Sequence, residues 1–412
     1  VGAGAAGLAC ARTLAEAGLR VALLEARDRV GGRIYTVPAK VSELPVELGA
    51  EFIHGLPEEL IELVDEAGLT RFELDGESLC YEGAGPLGRC GEQHGVHQIF
   101  EALAEFTGED MTFAEWVSQS GAGSKAIARA TNYVEGFNAA EADRISMLSL
   151  ARQQEAEDAI SGDRLFRVAE GYQRVPEFLL RRFLDAGGEW RPSTPVESIT
   201  WREGKVEVTS EKGQTLTARA AVVTLPLGVL QARVVKLHPE PAEILRLADS
   251  LAMGTAARVV YEFDSGLWQK SPALRELSFL FAPGLVPPTW WTTHPKQTGV
   301  LTGWIAGRKA IDLDVSRLPE EGLATLDTVL GEDIGSHVIA RHTHDWRQDA
   351  YSRGAYTYVP AGAVQASEQM SVPVEGTLFF AGEHTDTSGH WGTVHGALRS
   401  GYRAARQVLA TS

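Results

Sequence analysis

At 412 residues the chain is long enough for two or three domain-sized units, and 44% hydrophobic with 23% charged residues is ordinary for a soluble globular protein. Its 38 basic and 55 acidic residues leave a net charge of −17, which argues against nucleic acid or an anionic membrane as partner and is compatible with a cationic small molecule. No apolar run is long enough to span a bilayer, and Cys10, Cys80 and Cys90 make no disulfide framework, so the expected location is cytoplasmic.

The chain opens on Gly2-Ala3-Gly4-Ala5-Ala6-Gly7, followed by an alanine-rich helix running to about Ala17 with Gly18 as its cap. Arg20-Val21-Ala22-Leu23-Leu24-Glu25 then reads as a buried parallel strand ending in an acid. This is the order a dinucleotide requires. Gly2 permits the tight turn, Gly4 lets the backbone approach a pyrophosphate, and Gly7 lets helix and strand pack closely. The helix N-terminus offers unpaired N–H groups to phosphate, and Glu25 lies where a carboxylate accepts from ribose hydroxyls. Only Val1 precedes the glycines, so the sequence reads as shortened upstream. Ala26-Arg27-Asp28-Arg29-Val30-Gly31-Gly32-Arg33 adds three arginines and a second glycine pair. Arginine forks suit two phosphates, and flavoproteins that hold FAD extended carry such a turn where nicotinamide dehydrogenases generally do not.

A polar connection leads to Leu44-Pro45-Val46-Glu47-Leu48-Gly49-Ala50-Glu51-Phe52-Ile53-His54-Gly55 and an amphipathic helix over 57–67. Residues 70–95 show no clear periodicity, and 97–185 read mostly as helix. Strands are predicted over 196–201, 205–209, 220–224, 257–263 and 299–305, a helix over 319–331, and a last strand over 376–382. The closing Phe380-Ala381-Gly382-Glu383-His384-Thr385 and Gly392-Thr393-Val394-His395-Gly396-Ala397 form a strand, a loop and the start of a helix over 393–409. A helix dipole placed there would stabilise negative charge on a reduced flavin, with Glu383 binding hydroxyls of the cofactor's linker.

Residues 2–33, 47–55 (ELGAEFIHG), 222–230 (VVTLPLGVL) and 376–401 (GTLFFAGEHTDTSGHWGTVHGALRSG) together resemble the flavin-containing amine oxidases, which include monoamine oxidases, polyamine oxidases and flavin-dependent lysine demethylases. The match covers nearly the whole chain in order, and TVHGA is most similar to the polyamine oxidase and demethylase branch. No inserted helical hairpin or chromatin module accompanies it. The implied fold is mixed α/β: a Rossmann-like FAD-binding domain (1–70, 175–250 and 355–412) interleaved with a substrate-binding domain of mixed sheet and helices (71–174 and 251–354). The implied FAD contacts are Gly2, Gly4, Ala6, Gly7, Glu25, Ala26, Arg27, Gly32 and Arg33 at the dinucleotide end and Val196, Gly382 and Glu383 farther along. Gly49, Ala50 and Glu51 would pass one face of the flavin ring, with Gly392, Thr393 and Val394 at its pyrimidine end. The implied chemistry is hydride transfer from an amine's α-carbon to flavin N5, hydrolysis of the imine, and reoxidation by O2 to hydrogen peroxide. The partners expected are therefore a small amine, polyamine or monoamine, and O2.

Three departures from the family pattern stand out. Ala355 takes the place of the cysteine that anchors the flavin in monoamine oxidases, so FAD is expected to be noncovalent. Tyr356 matches one aromatic wall beside the flavin, while Thr393 replaces the other and Trp391 stands in from a neighbouring position. Arg258 aligns with the family's lysine that bridges through water to N5; it either slows reoxidation or forms a structural ion pair. Glu51 either steers a substrate ammonium or serves as a surface or cap residue, and His54 is expected to be a structural hydrogen-bonder. His342 and His344 share a strand face without a nearby carboxylate in sequence, so no metal is expected. Trp290 and Trp291 are expected to pack. An enzyme acting on a carbon–carbon bond, or a flavin-binding protein with little turnover, would use the same cofactor fold.

Overall fold

In the computed structural model, residues 1–83, 87–90, 94–264, 267, 272–331 and 333–411 are described. Gly2, at φ +101°, turns the chain from Val1 into the helix Ala5–Glu16. Nine of that helix's twelve residues are buried, which marks it as an interior rather than a surface helix. It stops at Ala17, and Gly18 follows at φ +86°. Val1 and Gly2 sit in the middle of a parallel sheet. Gly2 N–H donates to Leu24 O at 2.8 Å and Thr224 N–H to Val1 O at 2.9 Å. These bonds join the parallel pair Ala22–Leu24 and Glu189–Arg191 to the pair Ala221–Val223 and Leu378–Phe380. Such continuous apolar strands require cover on both faces. Phe379 points to one side, beneath Ala5–Glu16 and Val394–Ala410, while Leu378 and Phe380 point to the other. Gly401 lets the two helices approach, since a Cβ there would stand 2.2 Å from Ala6 O. The opposite side is covered by a four-stranded sheet (Thr215–Ala218, Lys205–Ser210, Val196–Arg202, Lys236–His238) and the helices Ala242–Ser250 and Ala366–Met370.

A seven-stranded sheet forms the other half, in the order Val338–Thr343, Ala256–Phe263, Val300–Ala306, Thr289–Thr292, Leu277–Phe281, Glu77–Cys80 and Gly88–Arg89. Its strand Ala256–Phe263 is buried along its whole length and alternates cleanly. Ala257, Val259, Tyr261 and Phe263 pack with the helix Leu318–Leu330, and Tyr261 Oη donates to Pro319 O at 2.6 Å. Arg258, Val260 and Glu262 face the other way, onto residues 40–51. Cross-strand register puts Trp304 opposite Arg258, Thr302 opposite both Val260 and Trp291, and Phe279 opposite Trp291. All of these side chains therefore share the face that looks onto residues 46–54.

The structure departs from the sequence expectation in several places. The stretch read as mostly helical does hold His94–Ala104, Phe113–Ser118, Ser124–Asn138, Met147–Ala159 and Arg174–Asp185, but the strand Leu165–Val168 interrupts it. That four-residue run pairs with Ile53–His54 and Arg71–Glu73, long-range partners that local periodicity does not reveal. Glu189–Arg191 and Thr215–Ala218 are further strands beyond those expected. Cys80 and Cys90 are joined by a disulfide with Cα atoms 4.9 Å apart, against the expectation of no cysteine pairing. They come together because Glu77–Cys80 and Gly88–Arg89 pair antiparallel, with Cys80 opposite Gly88. Among the described residues no helix is long and apolar enough to cross a membrane.

Candidate active site

The opening turn has the shape of a phosphate cradle. An ideal Cβ on Gly7 would lie 1.9 Å from Gly2 O and 2.8 Å from Thr224 Oγ1, so Gly7 is fixed by packing. A Cβ on Gly4 would meet nothing within 4 Å. Gly4 thus opens onto free space at the helix N-terminus, where a pyrophosphate would approach the backbone. Gly32 faces that space too, its own Cβ position lying 3.5 Å from Gly4 Cα. Ala6 instead faces Gly401 and is a packing residue.

Glu25 is buried, and its two oxygens accept from Ala3 N–H at 2.8 Å and Arg27 N–H at 2.9 Å. These bonds fix the carboxylate at the strand's end, next to the half-buried Ala26. Arg27 pairs with Asp349, donates to Ser352 Oγ at 3.1 Å and lies over the Tyr351 ring. Arg29 donates to the carbonyls of Val30, Gly32 and Ile34 and stacks 4.1 Å from the Tyr35 ring centroid, so it braces the loop. Arg33 Nη1 donates to Glu383 Oε1 at 2.8 Å and to Ala355 O at 2.9 Å. Glu383 also accepts from Gly392 N–H at 2.9 Å and Thr357 Oγ1 at 3.0 Å. Burial alone would raise its pKa, but Arg33, His384 and the Gly392 N–H outweigh it and hold Glu383 below the usual carboxylate range. A Cβ on Gly49 would stand 1.9 Å from Arg33 O, and Ala50 N–H donates to that oxygen at 3.0 Å. The Gly49–Ala50 turn is therefore drawn against Arg33 and Glu383, which brings the start and end of the chain to one place.

Gly382, at φ +144°, donates its N–H to Ser400 Oγ at 2.9 Å, and Thr393 caps Val394–Ala410 by accepting from Gly396 N–H. Capping occupies the Thr393 hydroxyl. Val196 packs into the core beneath the four-stranded sheet. Among the described residues, several buried polar atoms around this seam have no hydrogen-bond partner: both ring nitrogens of His384, Nε2 of His390 and His395, and Nε1 of Trp391. Groups of this kind are normally satisfied, so their lack of a partner fits a seam built to receive a polar ligand. Burial pushes His384, His390 and His54 down to about 4, which keeps all three neutral.

Behind the Gly49–Ala50 turn lies a buried charge cluster. Glu51 is 4% exposed, Arg167 4% and Arg258 6%. Glu51 Oε2 accepts from Arg258 Nη1 at 3.0 Å, and Oε1 accepts from Trp291 Nε1 at 3.0 Å while standing 3.0 Å from Arg167 Nη1. Arg258 Nη1 also donates to Glu47 O at 2.8 Å, and Trp346 Nε1 to Leu48 O at 2.7 Å. Residues 47–51 are thus held at both ends by side chains of the seven-stranded half. Burial lowers the Arg258 pKa, with Glu51 opposing that shift. Phe52, Phe279, Trp291 and Trp304 line the same face through ring contacts of 5.4–6.4 Å.

The sequence-predicted residues are therefore distributed unevenly. Arg258 and Glu51 meet each other, and the expectation of a carboxylate free to steer an ammonium does not fit, because both Glu51 oxygens are engaged. Tyr356 abuts Gly392, with Oη donating to Phe137 O at 2.6 Å. Trp391 is buried as part of the core cluster that also holds Leu378 and Phe380, and no ring contact joins it to Tyr356 among the described residues. His54 packs edge-on between Phe52 and Phe137, and among the described residues its side chain makes no hydrogen bond of the kind expected. His342 and His344 each meet a carboxylate, Glu262 and Asp349. Trp290 packs as expected, but Trp291 holds Glu51. Asp349, Thr224 and Arg167 were not anticipated. Arg167 had one signal: a lone arginine within an apolar strand run, Leu165-Phe166-Arg167-Val168.

The profile of the flavin-containing amine oxidoreductases matches residues 5–82 and 91–409. The chain belongs to this family. Polyamine oxidase 3 of Oryza sativa subsp. japonica is 30% identical over 99% of this amine oxidoreductase and 88% of the rice protein. Polyamine oxidase 2 of Arabidopsis thaliana is 29% identical over 98% and 86%. The fold matches putrescine oxidase bound to putrescine (TM-score 0.84, 23% identity, 99% and 98% of the two chains). It also matches cyclohexylamine oxidase from Brevibacterium oxydans (TM-score 0.83, 23% identity, 99% and 97%). The protein is thus an FAD-dependent amine oxidase with the expected mixed α/β fold.

Proposed function

We propose that this enzyme oxidises the C–N bond of an amine carrying an apolar or aromatic group, holds FAD without a covalent link, and uses O2 as final acceptor. One observation carries the substrate preference: Glu51, the acid behind the flavin-facing turn, is neutralised by Arg167 and Arg258 amid aromatic rings. A buried carboxylate already matched by two cations gives a second substrate ammonium no partner, so preference for a polyamine has no electrostatic basis here. The rings of Phe52, Phe279 and Trp291 favour an apolar group instead.

FAD, when bound, supplies the two-electron acceptor for the hydride leaving the amine's α-carbon. Gly2, Gly4, Gly32 and the start of Ala5–Glu16 would receive its phosphates, Glu25 a ribose, and Glu383 with Arg33 the linker and ring. The protein's own work is to hold residues 47–51 rigidly, keep the neighbouring imidazoles neutral and exclude water from the reacting carbon. The net change converts the amine carbon, with O2 and water, to a carbonyl compound, ammonia and hydrogen peroxide. Residues 1–70, 175–250 and 355–412 would form the cofactor unit, and 71–174 with 251–354 the substrate unit. The Cys80–Cys90 disulfide weighs against a cytoplasmic location, since such bonds persist in oxidising compartments.

Ala355 offers no thiol, Cys80 and Cys90 are bonded, and Cys10 lies buried in the first helix. Acid precipitation should therefore leave the yellow colour in the supernatant, and colour retained in the pellet would contradict noncovalent binding. Peroxide release should be measured with 2-phenylethylamine, cyclohexylamine, L-phenylalanine, putrescine and spermidine. The apolar amines should give the higher kcat/KM. Turnover of putrescine or spermidine alone would overturn the substrate preference, and no peroxide from any of them would overturn the oxidase assignment.

A further inference from the structure

The last carbonyls of a helix have no partner within it, and those of Ser124–Asn138 are taken by groups from elsewhere in the fold. Gly136 O accepts from Trp304 Nε1 at 3.0 Å, Phe137 O from Tyr356 Oη at 2.6 Å, and Ala139 O from Thr255 N–H at 3.2 Å. Trp304 lies over the Arg258 guanidinium, and Tyr356 stands against Gly392. The placing of this helix therefore sets two rings of the site. Its earlier turns are held from the neighbourhood of the Cys80–Cys90 disulfide. Glu82 pairs with Lys125 at 3.1 Å and with Arg129. The helix His94–Ala104 follows Cys90, and its Phe100 ring lies 4.9 Å from that of Tyr133. Cys80 stands opposite Phe281 in the sheet, and Phe281 stacks on Phe279, which touches Phe52 and Trp291. The strand Gly88–Arg89 has two residues and lies at the sheet edge, so its hydrogen bonds alone hold Cys90 weakly. The disulfide is the covalent tie between that edge and the sheet. Both cysteines are half-buried and Arg89 is exposed, which puts the bond within reach of small reagents.

We propose that Cys80 and Cys90 form a redox switch on amine oxidation, closed by the hydrogen peroxide that the enzyme itself releases. This rests on the amine oxidase reading above, and not on which amine is taken. With the bond closed, Glu82 and His94–Ala104 clamp Ser124–Asn138, and Tyr356 and Trp304 stay where the amine must be oriented. With the bond open, the short edge strand and the helix after it are released, and the two rings lose their fixed carbonyls. FAD stays bound in both forms, because Gly4, Glu25 and Glu383 belong to the parallel-sheet half. In closure, the thiolate of one cysteine attacks hydrogen peroxide and breaks its O–O bond, giving a sulfenic acid and, with a proton, water. The second thiol displaces the sulfenic oxygen as another water and forms the S–S bond. The sulfurs together lose two electrons and the peroxide gains them. Opening takes an external dithiol, which is oxidised to its own disulfide by exchange while Cys80 and Cys90 are reduced.

The test compares the holoenzyme with the bond closed, the same protein after dithiothreitol and anaerobic desalting, and the double variant Cys80→Ser/Cys90→Ser. The reduced wild type and the double variant should be bleached by 2-phenylethylamine about tenfold more slowly than the closed form, as expected of a small misplacement at the reacting carbon, with equal FAD content. Hydrogen peroxide added to the reduced wild type should remove both free thiols and restore the rate, and should leave the double variant slow. Cys10 does not interfere, because it is buried and burial pushes its thiol up to about 12. Equal bleaching rates in all three forms, or thiols that survive the peroxide, would overturn the switch. A closed form that no amine bleaches would sink the oxidase reading instead. Hydrogen exchange, which needs no turnover, then still decides whether the disulfide holds the helix. Amides of residues 124–138 should exchange faster after reduction, and unchanged exchange would overturn the switch.

Discussion

Glu51→Gln is expected to destabilise the folded enzyme by about 3–5 kcal/mol, the usual cost of removing one partner from a buried ion pair. The loss should exceed that of Arg258→Met. Glutamine keeps the shape and an acceptor oxygen but removes the carboxylate that pairs with both Arg167 and Arg258, leaving them only the more distant Glu47. Methionine at position 258 leaves Glu51 with Arg167, one charge against one, and its thioether fills part of the space between Trp291 and Trp304. The order of the two effects is the informative quantity, because a cluster balanced by some other anion would give the reverse. Urea unfolding of wild type, Glu51→Gln and Arg258→Met under identical conditions measures it. Equal stability of all three would mean that the three groups are solvated.

Gly7→Ala and Gly4→Ala should behave in opposite ways although they lie three positions apart. An added methyl at Gly7 runs into Gly2 O, a backbone atom with nowhere to retreat, because Val1 and Gly2 are the middle strand of the parallel sheet. Overpacking of this kind costs about 1–3 kcal/mol or more, and here it must also spread the helix from the strand that shape the phosphate cradle. Gly7→Ala should therefore lose stability and FAD together. A methyl at Gly4 meets nothing and the backbone there is extended, with φ −75°, so the apoprotein should unfold as wild type does. FAD affinity should still fall by roughly tenfold or more, about 1.4 kcal/mol, since the methyl would occupy the approach of the pyrophosphate. Calorimetric FAD titration and thermal unfolding of the two apoproteins check this. Unchanged FAD affinity in Gly4→Ala would move the phosphates away from that glycine.

Sequence reasoning reached different depths in different parts of the molecule, and the reasons are physical. The first helix and strand were legible because glycine spacing, apolar run and terminal acid are all local and in register. In the strand expected over 257–263 neighbouring side chains must point to opposite faces, and the structure turns Arg258, Val260 and Glu262 one way and Val259, Tyr261 and Phe263 the other. What sequence did not give was the partner of each face. Arg258 stands 207 positions from Glu51, and Trp291 meets that acid across 240. Arg167 reaches the cluster only because Leu165–Val168 is a strand beside Ile53–His54, a pairing with no local signature. Adjacency in sequence to Gly392 likewise does not set how the Trp391 indole lies: its ring joins the core cluster, while its Nε1 has no partner among the described residues.

The most direct measurement is anaerobic mixing of the yellow holoenzyme with L-phenylalanine, 2-phenylethylamine and putrescine, followed by admission of air. Bleaching of the yellow colour by an apolar amine, and its return with one hydrogen peroxide per amine consumed, is the predicted result. Colour that persists through every amine, in an enzyme shown to contain FAD, would contradict the assignment of this chain as an amine oxidase.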